Sequence, residues 1–309
     1  MAAGKQIGES VDTMNRSRSS ETDGTLSPKE LSEVIGLSES TLKRWVDSGV
    51  VNAVKTPGGH RRIPRAEAIR LIRESNLPIL RPETLGIPEL SLVRESPTSP
   101  GLEGLRLFEL LRDGEDRHVR GLLISLFLSG RSVIEIADGP MREAMQRVGE
   151  LWRHTESGIF LEHRATEILM GALTHLGSVV QTPAPDAPIA IGGAPSGDPY
   201  SIPTMTAGLV LEANGFRTQN LGPDLPLGSL AIAAEQVKPV LVWLSISSTS
   251  DLPGIGAEIA ALADRLASQS IALVVGGRSR GVAPQHPSVH LAMSMGELVA
   301  FARGVVAKG

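Results

Sequence analysis

From residue 189 to the C-terminus, short apolar runs alternate with stretches of helical periodicity, and that alternation leaves few folds open. The runs are Ile189–Gly193, Arg217–Leu221, Leu241–Ser247, Ile271–Gly277 and Val289–Met293, and the helical stretches cover about 203–214, 226–237, 254–269 and 295–307. Strands joined through helices predict a parallel sheet covered on both faces, because parallel neighbours need a long crossover and the crossover helices pack on the sheet. Such sheets bind ligands beyond the carboxyl ends of their strands, near the point where the strand order reverses. The loops at that edge are 194–203, 222–226, 245–252 and 277–284.

Prolines divide the rest of the chain. Pro78, Pro82, Pro88, Pro97 and Pro100 predict an extended linker over 76–100, since each removes a backbone donor and biases its predecessor away from helix. Pro183, Pro185 and Pro188 mark a hinge over 182–188. The expected organisation is a disordered polar tail (1–23), a compact N-terminal domain (24–75), the linker, a helical bundle (101–181), the hinge, and an α/β domain (189–309). Within 101–181, Leu105, Phe108 and Leu111, then Leu122, Leu126 and Phe127, recur at helical spacing. A third helix is expected over 132–152 around Ile134, Met141, Met145, Val148 and Trp152, and a fourth from about Ile159 to Val180, which suits an up-down four-helix bundle.

The N-terminal domain carries the most specific pattern. Ser27-Pro28-Lys29-Glu30 is a helix start with an N-cap serine, a first-turn proline and a reciprocal glutamate. Gly36 stops that helix, and Ser38 caps a second one two residues later, with Leu42, Trp45 and Val46 facing inward. Two short helices joined by a tight glycine turn predict a helix-turn-helix. Ser40, Thr41, Lys43 and Arg44 lie on the outer face of the second helix. A hairpin follows, Val54 to Ile63, with Gly58 and Gly59 at its tip and Lys55, His60, Arg61 and Arg62 on its flanks. Between residues 41 and 65 the cations Lys43, Arg44, Lys55, Arg61, Arg62 and Arg65 face one acid, Asp47, so that 6 − 1 gives +5. Cations gathered on a helix and an adjoining wing suit a phosphate backbone.

That local charge matters because the whole chain, at 309 residues, carries a net charge of −4 and is no uniformly basic protein. Zero cysteines exclude disulfides, thiolate metal sites and cysteine nucleophiles. No run approaches the roughly 18 apolar residues of a membrane span, and no apolar leader segment opens the chain, so the expectation is a cytoplasmic protein with no membrane partner. Aromatic residues make up only 3%, which leaves the core to Leu, Ile, Val and Ala and makes each ring worth locating. Gly192 to Gly197 has the glycine spacing of a phosphate loop, but Asp198 stands where a lysine is needed. No Ser-His-Asp, paired-carboxylate or metal-ligand spacing demands catalysis, and no metal site is expected.

The block Leu42-Lys43-Arg44-Trp45, Gly49-Val50-Val51 and Thr56-Pro57-Gly58-Gly59-His60-Arg61-Arg62-Ile63 resembles the winged helix-turn-helix of MerR-family transcription regulators, over about residues 25–74. The resemblance implies DNA binding through Ser40, Thr41, Lys43, Arg44, Lys55, Gly58, Gly59, His60, Arg61 and Arg62. Pro140-Met141-Arg142, Val148-Gly149-Glu150-Leu151-Trp152 and Glu162-His163 resemble the helical module of the light-sensing CarH/CarA/LitR group, which implies that Trp152, Glu162 and His163 line the upper face of a cobalamin. That group places a histidine after the tryptophan, where this chain has Arg153. The α/β part is similar to cobalamin-binding domains, whose flavodoxin-like sheet carries D-x-H-x-x-G after the first strand. Here the motif reads Asp198-Pro199-Tyr200-Ser201-Ile202-Pro203, followed by Ser245-Ile246-Ser247 and Gly276-Gly277. The resemblance makes Asp198, Tyr200, Ser245, Ser247, Gly276 and Gly277 candidate cofactor contacts. Tyr200 replaces the family's cobalt-ligating histidine, and Pro203 replaces a glycine that admits the corrinoid tail.

The expectation is therefore a DNA-binding regulator, a repressor by analogy, acting on a near-palindromic operator as a homodimer or higher oligomer. Its sensor keeps the cobalamin-binding fold without the ligating histidine, holds no cofactor, and answers instead to a regulatory protein partner. Three alternatives stay open. Cobalamin could be held through the bundle face alone; a haem could be ligated by Tyr200; or the chain could be a subunit of a corrinoid-dependent methyltransferase or mutase, which would have no use for a DNA-reading wing.

Overall fold

The computed structural model describes residues 24–94, 99, 101–152, 158–248 and 254–307; the expected tail over 1–23 lies outside them. The chain divides into two compact units: Met1–Ser96 with Ile124–Gly130, and Pro97–Leu123 with Arg131–Gly309.

In the first unit, α1 (Pro28–Ile35) begins at the expected capping box: Ser27 Oγ accepts the Glu30 amide, and the Glu30 carboxylate accepts the Ser27 amide at 2.7 Å. Gly36, at φ 72°, closes α1 in the left-handed region that favours glycine. Ser38 caps α2 (Glu39–Asp47) through the Thr41 amide. The wing is β2 (Val54–Lys55) antiparallel to β3 (Arg61–Pro64). A short β1 (Thr25–Leu26), unmarked in the sequence, pairs with the other edge of β3. Leu31, Val34, Ile35, Leu42, Ile63 and, from α3 (Arg65–Glu74), Ala68 and Ile72 fill the core.

The stretch expected as an extended linker differs from that expectation. Leu85, Ile87 and Leu90 are buried, the Leu80 amide donates to the Val34 carbonyl at 2.6 Å, and α4 spans Leu90–Arg94. Proline suppresses regular structure there, but the intervening leucines and isoleucine still bury apolar surface.

The second unit begins with helices α5 (Glu103–Asp113), α6 (Asp116–Leu128), α7 (Val133–Ile136), α8 (Arg142–Trp152) and α9 (Gly158–Gly177); α6 from Ile124 onward counts with the first unit. Leu107, Leu110 and Leu111 are the buried apolar side chains of α5, whereas Leu105 and Phe108 are half-buried, so the apolar stripe is rotated from the expected one. The expected continuous third helix is broken. Ala137–Met141 forms a π-turn around Pro140, whose missing N–H and bulky ring cannot continue an α ladder.

The rest of the second unit is a five-stranded sheet, parallel throughout, in the order β5-β4-β6-β7-β8: β4 (Ile189–Gly193), β5 (Arg217–Asn220), β6 (Leu241–Ser245), β7 (Ala272–Gly276) and β8 (Val289–Leu291). This is the flavodoxin-like order, with its switch point between β4 and β6. The covering helices are α10 (Ser201–Glu212), α11 (Leu227–Val237), α12 (Ile255–Ala267) and α13 (Met295–Val306). Two apolar layers result. Ile191, Val242, Leu244 and Val275 pack with α11 and α12; Ala190, Trp243 and Val274 pack with α10 and α13. No described helix is long and apolar enough to cross a membrane.

Candidate nucleic-acid interface and strand-end crevice

On α2, Ser40, Lys43 and Arg44 are exposed and Thr41 is half-buried. Ser38 Oγ lies 2.9 Å from Ser40 Oγ and 2.8 Å from Thr41 Oγ1, so the cap orders both hydroxyls. The wing tip is the turn Thr56–Gly59, with Gly59 at φ 77° and its amide bonded to the Thr56 carbonyl. Lys55, Gly58, Gly59 and His60 are exposed on it.

The wing arginines are already engaged. Arg61 Nη2 pairs with Asp47 Oδ1 on α2 at 2.6 Å, and Arg62 Nη1 pairs with Glu30 Oε2 on α1 at 3.3 Å. Lys43 pairs with Glu39 at 2.8 Å. Arg44 and Lys55 make no ion pair among the described residues. Arg65, counted among the basic cluster, is elsewhere employed: its Nε donates to the Leu85 carbonyl at 2.8 Å and its Nη2 to the Gly86 carbonyl at 3.2 Å. Burial lowers its pKa from the usual arginine value.

Sequence reasoning missed the brace beneath the wing. The buried Glu67 accepts the Asn52 amide at 2.8 Å and two Arg70 donors at 2.5 and 2.8 Å, while Arg70 Nη2 also donates to the Val50 carbonyl at 3.1 Å. The Arg70 hydrogen bond, more than any other cause, holds the Glu67 carboxyl below its ordinary range, assisted by the Asn52 amide. The segment joining α2 to the wing is thus pinned by one carboxylate.

At the strand ends of the second unit, the candidates form a self-contained network. Asp198 is fully buried. Its Oδ2 accepts the Ser247 amide at 2.5 Å and the Ser248 amide at 3.2 Å, and its Oδ1 accepts the Tyr200 amide at 3.1 Å. It therefore ties the loop after β4 to the loop after β6 across the switch point. Ser247 returns its carbonyl to Arg278 Nη2 at 3.3 Å and Ser279 Oγ at 3.2 Å. A Cβ on Gly277, at φ 96°, would lie 2.3 Å from the Ile246 carbonyl oxygen, and Gly276 accepts the Ile246 amide. The backbone requires a glycine at 277 without any ligand. Tyr200 is the N-cap residue of α10, 39% exposed, with no side-chain cap bond; Pro203 sits in the first turn of α10.

Beneath this loop network lies Trp243, which the sequence marked only as part of an apolar run. It is 2% exposed, faces Gly192 in the β4–β6 register, and donates its indole N–H to Thr204 Oγ1 at 3.0 Å. Thr204 in turn donates to Asn220 Oδ1 at 2.8 Å. A glycine paired with the position of a bulky aromatic on the neighbouring strand was the available signal. On α9, Glu162 is half-buried and His163 exposed, and neither makes a hydrogen bond or ion pair among the described residues. Trp152 is the last residue of α8, with its side chain outside the description. No group of His, Asp and Glu among the described residues could hold a metal ion.

Two family models match this chain: a helix-turn-helix domain over residues 25–75 and a B12 binding domain over residues 105–176. The HTH-type transcriptional repressor CarA of Myxococcus xanthus is 24% identical over 226 residues, which cover 72% of this chain and 76% of that protein. Among solved structures, the monomethylamine corrinoid protein of Methanosarcina barkeri superposes with a TM-score of 0.52 at 19% identity, covering 65% of this chain and 96% of that one. That likeness is one of fold.

Proposed function

Starting from a CarA/CarH-like regulator, a helix-turn-helix DNA-binding domain joined to a B12-binding domain, we propose that this protein represses transcription from a near-palindromic operator as a homodimer or higher oligomer, and that its sensor works without a cobalt ligand from the loop after β4. The helix-turn-helix presents Ser40, Thr41, Lys43 and Arg44 to the major groove, and the wing presents Lys55, Gly58, Gly59, His60, Arg61 and Arg62 to phosphates. Half-sites about one helical turn apart suit such a dimer.

The observation that carries the sensor reading is Asp198. Both carboxylate oxygens are taken by the amides of Tyr200, Ser247 and Ser248. That carboxylate is committed to holding the two loops together, and the side chain two residues on is a phenol, a poor match for cobalt beside imidazole. The residues present do not fit a corrinoid ligated from this loop. A haem on Tyr200 has no other observation in its favour. The sensor then responds to a regulatory protein partner, and the chain is no catalyst.

A second reading has its own support. The B12 binding domain model matches the helical part, which carries Trp152, Glu162 and His163, and the latter two have no protein partner among the described residues. A corrinoid could be held against that face alone. Operator binding by the purified protein, followed in darkness and in light with and without adenosylcobalamin, separates the two. The first reading expects one affinity in all four conditions; a cobalamin-dependent or light-dependent change establishes the second.

A further inference from the structure

We infer that the crevice at the β4/β6 switch point is filled by the protein's own Trp243, a built-in plug that keeps flat aromatic ligands out. The plug goes beyond the functional reading above and leans on it in one respect only, that the loop after β4 supplies no metal ligand. An open parallel sheet offers its ligand site just past the strand ends at this point. Gly192 is the second-last residue of β4, and Trp243 lies two residues before the end of β6, on the same face of the sheet.

The indole lies directly over Gly192. A Cβ built there would stand 2.3 Å from Cδ2 and 2.5 Å from Cγ of Trp243. The far edge of the ring reaches the second turn of α10, where Cζ2 is 3.6 Å from the Cβ position of Gly208. The pole between these ends is fixed by the Nε1 bond to Thr204 Oγ1, which is relayed to Asn220 Oδ1; that oxygen also accepts the Gly222 amide at 3.2 Å. Two glycines, one hydroxyl and one amide thus form a slot cut to an indole, and the indole is part of the chain. Above it, Asp198 sutures the two loops that would otherwise part to admit a ligand. A nucleobase, or the pendant aromatic base of a corrinoid, would have to displace Trp243 to enter between the strands and α10. Only a ligand resting above the loops avoids that conflict.

The test uses the full-length protein. In Trp243→Ala the slot opens, the melting temperature falls by roughly 10 °C, and added free indole recovers a substantial part of the loss while leaving the parent's melting temperature unmoved. Trp243→Phe keeps the ring and loses only the N–H bond, so its fall is smaller. Should Trp243→Ala not fold, a variant that keeps Trp243 still decides. With Trp45 and Trp152 replaced by Phe, the fluorescence of the remaining Trp243 should resist acrylamide. Free quenching of that emission, or indole binding to the parent as well as to the alanine variant, overturns the plug. Cobalamin-responsive operator binding with Trp243 still protected overturns the functional reading and leaves the plug standing.

Discussion

Asp138 and Gly296 are 158 residues apart in the chain, yet the Gly296 amide donates to Asp138 Oδ2 at 3.0 Å. The Met295 amide donates to Oδ1 of the same carboxylate, also at 3.0 Å. Asp138 sits in the π-turn that Pro140 imposes, and the two amides open α13. A carboxylate from the helical part thereby caps the positive end of a helix of the α/β part, where orphan amides and the helix dipole both favour negative charge. Arg142 pairs with the same carboxylate at 2.5 Å and keeps it oriented.

Asp138→Ala removes three charge-assisted bonds, leaving two amides without their acceptor and Arg142 without its partner. The expected cost is about 1.5–3 kcal/mol, read as a lower midpoint in denaturant unfolding. Limited proteolysis at residues 182–188, between α9 and β4, should accelerate in parallel. A midpoint equal to the parent's would show that Asp138 does not stabilise the start of α13.

The wing makes a less usual prediction. Because Arg61 and Arg62 are paired internally with Asp47 and Glu30, a phosphate must compete with a carboxylate for each. Exposed pairs of this kind contribute at most about 1 kcal/mol. Asp47→Asn should therefore strengthen operator binding by about 2–5-fold, the opposite sign from most substitutions in a DNA-binding domain. Arg61→Ala with Arg62→Ala should weaken binding to every sequence and reduce the salt slope by about 2. Titrations by fluorescence anisotropy at several salt concentrations check both.

Acid should loosen the wing. The Glu67 carboxyl is held below its ordinary value in the folded state, so the stability it contributes is present above the unfolded pKa and is lost as pH falls through the folded one. Amide exchange at Asn52 should rise as pH drops below about 4.5, after correction for intrinsic rates. Glu67→Gln should remove that acid dependence and cost about 1–3 kcal/mol at neutral pH. A pH profile identical in parent and variant would contradict the assignment.

Gly192→Ala should be among the most damaging single methyl additions in the α/β part. The new Cβ would lie 2.2 Å from the Trp243 carbonyl oxygen as well as against the ring. Trimming the side chain cannot relieve a backbone clash, so Trp243→Ala should not rescue it. Overpacking of this severity costs upward of about 3 kcal/mol, measurable as loss of the folded baseline at ambient temperature.

Much of this protein was legible in its sequence because the determinants are local. The capping box at Ser27 and Glu30, the glycine stop at Gly36 and the hairpin turn at Gly59 each act within a few residues, and strand–helix alternation specifies a parallel sheet wherever the chain lies. The number and type of strands in the α/β part follow from that pattern alone. Tertiary structure decided the partners. Whether Arg61 faces solvent or Asp47, whether Arg65 belongs to the basic face or to the carbonyls of Leu85 and Gly86, and what Asp198 grasps are questions about residues distant in sequence. The prolines of 76–100 announced an absence of regular structure, but only packing could show that Leu85, Ile87 and Leu90 are buried all the same. The π-turn at Pro140 was implicit in a proline within a helical pattern; its use, to deliver Asp138 to α13, was not. Trp243 shows the division most clearly. Its sequence context specifies a buried strand residue, while its role as the filling of the switch-point crevice arises only when β4 and β6 become neighbours and Gly192 leaves room for the ring.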